Sequence, residues 1–313
     1  MILVTGGAGF IGSNLVKRLN AYGTSDIIIS DMLGRDDKYQ NLVGLKYRDY
    51  IFAGNLLDSN IFNDIETIYH LGACSSTTET DVDYLISNNF EYTKRLCNIA
   101  LDNHIHFVYA SSAATYGNGD RGMSDRVSDV SIYKPMNAYG YSKQLFDIYA
   151  QGAGLLTDIT GLKYFNIFGP GEEHKGDMRS LVSKAVKEIQ DTGKLRLFKS
   201  NDPDIKDGEQ SRDFLYVTDA VDITLDLQEN DLTGIYNVGS GVSNTWNYLA
   251  ECIFDSMDMD FNVEYIEMPK SLSVKYQNHT QADISKLKSM LHDVKIMDLS
   301  DAVDVYIQNY LLK

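Results

Sequence analysis

Thr5-Gly-Gly-Ala-Gly-Phe-Ile-Gly12-Ser13 follows an apolar strand, predicted over residues 1–5, and opens a helix, predicted over residues 11–21. A glycine-rich stretch in that setting is a dinucleotide-binding turn, and each glycine has a physical task. Gly6 or Gly7 permits the tight turn, Gly9 lets backbone approach a pyrophosphate, and Gly12 lets the helix pack closely on the strand. The helix N-terminus favours the anion. The second strand ends in Asp31, about 20 residues beyond the loop, where an acidic side chain commonly binds a ribose 2′-hydroxyl. Asp31 by itself points to NAD; Lys38 and Arg35 lie where a cation would meet a 2′-phosphate, which points to NADP. NADP is the expected cofactor, with NAD as the alternative.

Outward from the loop, short β-like runs alternate with amphipathic segments, the pattern of βαβ units on a parallel sheet. Strands are predicted at residues 1–5, 26–30, 50–52, 67–71, 106–110 and 161–165, and helices at 11–21, 81–102 and 138–151. Pro170, between Gly169 and Gly171, marks a crossover to a second lobe. Beyond it a helix is expected at 178–191 and a strand at 195–198, followed by a polar stretch at 200–211. Residues 214–217, a helix after Thr218 and residues 235–238 read as returns to the sheet. The predicted fold is α/β: a Rossmann-type doubly wound parallel sheet with a smaller C-terminal α/β substrate domain. Residues 1–165 with about 213–240 form the NADP-binding domain, and about 166–212 with 241–313 the substrate-binding domain.

The 313 residues suffice for a large core and two lobes. With 28 basic and 44 acidic residues the formal charge is −16, which argues against nucleic-acid or anionic-membrane binding and requires local cations wherever an anionic substrate is held. Cys74, Cys97 and Cys252 are far apart and form no CxxC pair, so neither a disulfide framework nor a metal site is expected, and a reducing cytoplasm fits. No apolar run approaches the roughly 20 residues needed to span a bilayer.

Tyr139-Gly-Tyr-Ser-Lys143 puts a phenol and an ammonium four residues apart in a predicted helix, on one face. A tyrosine is a poor acid-base group at neutral pH until positive charge nearby favours the phenolate, and Lys143 is placed to supply that charge. Ser111 and Ser112 follow the strand at 106–110, at the carboxyl end where open parallel sheets bind ligands. Ser112 can hydrogen-bond a substrate oxygen while Tyr139 exchanges a proton with it. The order glycine loop, Ser112, Tyr139, Lys143 resembles the extended short-chain dehydrogenase/reductases.

Finer strings narrow the likeness. Gly72-Ala-Cys-Ser-Ser-Thr-Thr-Glu79, Tyr109-Ala-Ser-Ser-Ala-Ala-Thr-Tyr-Gly117, Tyr164-Phe-Asn-Ile-Phe-Gly-Pro170, His174-Lys-Gly176, Arg212-Asp-Phe214 and Thr280-Gln-Ala-Asp283 span nearly the whole chain. Together they resemble the ADP-L-glycero-D-manno-heptose 6-epimerase family. The resemblance implies an isomerase that inverts C6 of an ADP-heptose through a 6-keto intermediate, with tightly bound NADP. It also implies a homo-oligomer in the cytoplasm, serving lipopolysaccharide biosynthesis. It assigns catalysis to Ser112, Tyr139, Lys143 and, as acid-base group on the second face, Lys175. Cofactor contacts fall on Gly6, Gly9, Phe10, Ile11, Gly12, Asp31, Met32, Lys38, Leu71, Gly72, Ala73, Cys74, Ser75, Asn88, Tyr139, Lys143, Ile167 and Lys175. Substrate contacts fall on Ser112, Asn166, Asp177, Lys184, Phe198, Lys199, Ser200, Asn201, Arg212 and Tyr276, with Arg212 suited to a diphosphate by its planar fork. The chain departs from the family at Met32, usually asparagine, at Asp177, commonly serine, and at Lys184, commonly histidine. A 4-epimerase or reductase of another nucleotide sugar, such as a UDP-hexose, is the alternative, and a non-catalytic dinucleotide sensor a more distant one.

Overall fold

The computed structural model describes residues 1–35, 37–273 and 276–313. Twelve strands are present among them: β1 Ile2–Thr5, β2 Ile27–Asp31, β3 Asp49–Phe52, β4 Thr67–His70, β5 His106–Ser112, β6 Ile159–Tyr164, β7 Asn166–Phe168, β8 Leu195–Phe198, β9 Ser211–Tyr216, β10 Gly234–Val238, β11 Ser243–Thr245 and β12 Val263–Ile266. Seven build a parallel sheet in the order β3-β2-β1-β4-β5-β6-β10. Strands β2, β4 and β6 are buried at every position. A parallel sheet covered on both faces produces that pattern, and it explains the unbroken apolar run Ile27-Ile-Ile29.

Successive side chains leave the sheet on opposite faces. Val4 packs with Leu15, Val16 and Tyr69 on one side, while Leu3 packs with Ile28, Ile68 and Phe107 on the other. The chain runs outward from β1 to β3 and resumes at β4 on the opposite flank of β1. The carboxyl ends of β1 and β4 are therefore a topological switch point, where open α/β sheets form a binding crevice. Thr5 is in register with His70 there.

A second core, with Phe168, Val186, Ile189, Leu197, Leu249 and Tyr306, lies around two small sheets. One is β7-β9-β11, the other the parallel pair β8-β12. This corrects one expectation: residues 214–217 do not return to the central sheet. They lie in and just after β9, which pairs with β7 and β11, and only β10 rejoins the main sheet, beside β6. The apolar run marks a buried strand without saying which sheet buries it. Helix limits shift for local reasons: the helix expected at 178–191 starts at Leu181 because the Ser180 hydroxyl accepts the Ser183 N–H. The helix expected at 81–102 contains a π-helical stretch, Ile86–Glu91. No helix among the described residues is long and apolar enough to cross a membrane.

Candidate active site

The glycine loop is a cradle that side chains would fill. Gly6 has φ +67°, and a Cβ there would stand 2.6 Å from Gly72 Cα; at Gly12 a Cβ would stand 2.2 Å from the Gly6 carbonyl oxygen. Gly9 precedes the helix Phe10–Ala21 and brings no capping side chain, so the first-turn N–H groups stay available to an anion. The Ser30 hydroxyl is buried in the same cavity without a protein partner. These features fit a dinucleotide.

Asp31 and Lys38, read from sequence as competing signals for two cofactors, bond to each other at 2.6 Å. The Asp31 carboxylate also accepts the N–H groups of Ala8 at 2.9 Å and Met32 at 2.7 Å. The turn thus holds the carboxylate, and the carboxylate holds the ammonium at the cavity rim. Each residue's type was legible; their mutual engagement was not.

Tyr139 reaches Ser112 because of the residue between its helix and the serine's turn. Asn137 caps the helix Ala138–Gly152 by accepting the Gly140 N–H at 2.8 Å, and a Cβ at Gly140 would come within 2.7 Å of the Ala114 carbonyl oxygen. Only glycine lets the first turn sit against the segment after Ser112. The phenol and the Ser112 hydroxyl are hydrogen-bonded, yet burial outweighs that bond and raises the Tyr139 pKa above its ordinary value. This reverses the expectation that Lys143 would depress it: the Lys143 ammonium is directed at the Ala110 carbonyl, 2.8 Å away. Burial lowers Lys143 itself to about 8, opposed by the charge of Asp147.

Lys175 lies in the 3-10 segment Glu173–Met178, beyond β7. Its ammonium stands 5.3 Å over the Phe10 ring. Burial lowers its pKa, against the nearby carboxylate of Glu172. Glu172 is itself buried and accepts from the Ser180 N–H and hydroxyl, both at 2.6 Å.

Ser112, Tyr139, Lys143 and Lys175 line one cavity of about 1020 Å³. All the cofactor-contact candidates line it too, together with Asn166, Lys184, Phe198 and Tyr276. Asp177, Lys199, Ser200, Asn201 and Arg212 do not. Lys199 pairs with Glu267 at 2.6 Å, Ser200 and Asn201 bond within their own turn and to Ser273, and the Asp177 carbonyl accepts from Lys184 at 3.2 Å. The Arg212 guanidinium is buried 4.8 Å from the Tyr276 ring and 5.7 Å from the Trp246 ring, just behind the wall. It makes no ion pair with Asp213, whose carboxylate instead accepts the N–H groups of Ser240, Gly241 and Ala282.

The sequence reading missed Asn89, which sits in the π-helical stretch. Its amide bonds both backbone polar groups of Cys74 and the Ser142 hydroxyl, at 2.8 to 3.0 Å, and so ties the loop after β4 to the tyrosine's helix. Arg179, Arg196 and Trp246 in the wall were also missed, and a lone residue on a helix or strand carries no pattern that would have flagged them. The wall holds six cations, Lys38, Lys143, Lys175, Arg179, Lys184 and Arg196, against Asp31 and Glu188, each paired with a cation at 2.6 Å. A strongly acidic chain has concentrated positive charge where a ligand would sit. His70 is buried between Thr5 and Thr93, with its pKa lowered to about 3. Among the described residues no cluster of His, Cys, Asp or Glu is arranged to hold a metal.

Residues 2–239 match the NAD dependent epimerase/dehydratase family. The chain is 45% identical to an ADP-L-glycero-D-manno-heptose-6-epimerase of Nitratidesulfovibrio vulgaris, over 99% of this chain and 98% of that one. It superposes on the crystal structure of the Helicobacter pylori ADP-L-glycero-D-manno-heptose-6-epimerase with TM-score 0.82, at 27% identity, covering 98% and 95% of the two chains. A UDP-N-acetylglucosamine 4-epimerase from Methanobrevibacter ruminantium, solved with UDP-N-acetylmuramic acid, superposes with TM-score 0.84 at 25% identity over 99% and 98%.

Proposed function

The chain belongs to the NAD dependent epimerase/dehydratase family, and from that premise we propose that it is an isomerase inverting C6 of the heptose in ADP-D-glycero-D-manno-heptose to give the L-glycero epimer. The observation that carries this reading is that Tyr139 with Ser112, and Lys175 from a distant stretch of the chain, line one cavity. A simple dehydrogenase needs one acid-base group; inversion benefits from a second on the other face of the flattened carbon.

A nicotinamide dinucleotide bound along Gly6, Gly9, Gly12 and Leu71–Ser75 supplies reversible hydride transfer. The protein's own groups do the rest. Ser112 donates to the oxygen on C6 and fixes it beside the Tyr139 phenol. Tyr139 exchanges a proton with that oxygen on one face of C6, its hydrogen bond to Ser112 opposing the effect of burial. Lys175, lowered by burial towards the range where an amine exchanges protons, serves the opposite face of the 6-keto sugar. The wall cations Arg179, Lys184 and Arg196 hold the diphosphate, and Arg212 backs the Tyr276 ring from behind. NADP is the cofactor form we favour, because Lys38 presents an ammonium at the rim beyond Asp31. The proposal extends to a homo-oligomer acting in the cytoplasm and supplying lipopolysaccharide biosynthesis, which rest on the likeness to the heptose epimerases.

The test is incubation of the purified protein with ADP-D-glycero-D-manno-heptose and chromatographic separation of the C6 epimers. Approach to an equilibrium mixture is expected from either epimer. No conversion, alongside turnover of a UDP-hexose, would move the assignment to a 4-epimerase.

A further inference from the structure

A buried ion pair lies directly beneath the candidate catalytic groups. Asp147 is four residues beyond Lys143 and eight beyond Tyr139 on the same helix, so the three share a face. Its side chain is inaccessible to solvent and pairs with Lys163 Nζ at 2.5 Å. The Ser111 hydroxyl donates to Asp147 Oδ2 at 2.8 Å and the Tyr109 hydroxyl to Oδ1 at 3.0 Å. Lys163 comes from β6, in register with Ser111 of β5, and donates also to Thr115 Oγ1 at 2.7 Å. The Thr115 hydroxyl in turn donates to the Ser112 carbonyl at 2.8 Å.

Three consecutive residues of β5 are thereby gripped in sequence. Lys143 binds the Ala110 carbonyl, Asp147 the Ser111 hydroxyl, and the Lys163–Thr115 link the Ser112 carbonyl. We infer that Asp147 and Lys163 are positioning residues for the proposed reaction, setting the place of Ser112 through Ser111 and Thr115 and holding the charge of Lys143. The inference rests on the roles given above to Ser112, Tyr139 and Lys143. Two physical points favour it over a merely structural pair. A buried ion pair adds little net stability, because desolvation offsets its attraction, so its worth lies in what it fixes. And of the groups facing Lys143, His70 from β4 is neutral and Cys74 comes from the loop after β4, which leaves Asp147 as the nearby carboxylate.

The variants are Asp147→Asn, which removes the charge, and Thr115→Val, which keeps both charges and cuts the tie to Ser112. Lys143 is titrated by NMR in protein whose lysines carry ¹³C-methyl groups, with Lys143→Arg to assign its signal and no substrate present; kcat is followed against pH. In Asp147→Asn the Lys143 midpoint is expected to fall by about one pH unit, since the carboxylate favours the charged amine. The alkaline limb of kcat should move to lower pH with it. In Thr115→Val kcat is expected to fall roughly tenfold, the effect of misplacing one reacting group, with KM and the limb unmoved. An unshifted Lys143 midpoint in Asp147→Asn, or full kcat in Thr115→Val, overturns the inference. Should Asp147→Asn not fold, Thr115→Val decides alone. The titration needs no sugar, so a shifted midpoint without heptose turnover would reject the substrate assignment and leave the positioning role standing.

Discussion

At the scale of single residues the site works by setting burial against partners. The Tyr139 phenol and the Lys143 and Lys175 amines are all displaced by burial, each towards its neutral form. A neutral phenol can donate a proton and a neutral amine can accept one, and Ser112, Asp147 and Glu172 respectively oppose the effect of burial. Tyr139→Phe and Lys175→Met should each lower turnover by roughly 10²- to 10⁴-fold, the usual worth of a positioned acid-base group, while the cofactor still co-purifies, as absorbance and mass spectrometry would show. Normal turnover in Lys175→Met would remove the second-face role. The identities of these residues were legible in the sequence because spacing on a helix is local information. The direction of the tyrosine shift was not, because burial is a property of what packs around the phenol rather than of the residue four positions along.

At the scale of elements, the serine and the tyrosine meet because the helix Ala138–Gly152 starts against the turn after β5. Gly140→Ala would push a methyl into the Ala114 carbonyl, and overpacking of this kind costs about 1 to 3 kcal/mol. A lower thermal midpoint is expected together with a fall in kcat larger than the fall in folded protein accounts for, because the phenol moves away from Ser112. A variant that melts earlier but turns over normally would show that the contact serves stability alone. Strands of the central sheet were readable as apolar runs bounded by turn residues. The membership of β9 was not, nor was the π-helical stretch that aims Asn89 at Cys74: each depends on a partner distant in sequence.

At the scale of the molecule, a chain of formal charge −16 gathers six cations around one cavity. Binding there stabilises the folded state by mass action. For protein stripped of cofactor, the thermal midpoint should rise further with NADP than with an equal concentration of NAD, and Lys38→Ala should abolish that difference; equal rises in the parent protein would point to NAD instead. The sequence by itself determined the parallel α/β sheet, the glycine cradle and the list of reactive side chains, since those follow from local pattern: apolar runs, turn glycines and helical spacing. Tertiary structure alone decided that Asp31 and Lys38 engage each other, that Arg212 stands behind Tyr276 with no carboxylate, that Lys175 crosses to Phe10, and that Asp147 and Lys163 lie under Ser112. Those pairings join residues from 7 to 165 positions apart, and burial together with charge compensation selects them only in the packed chain.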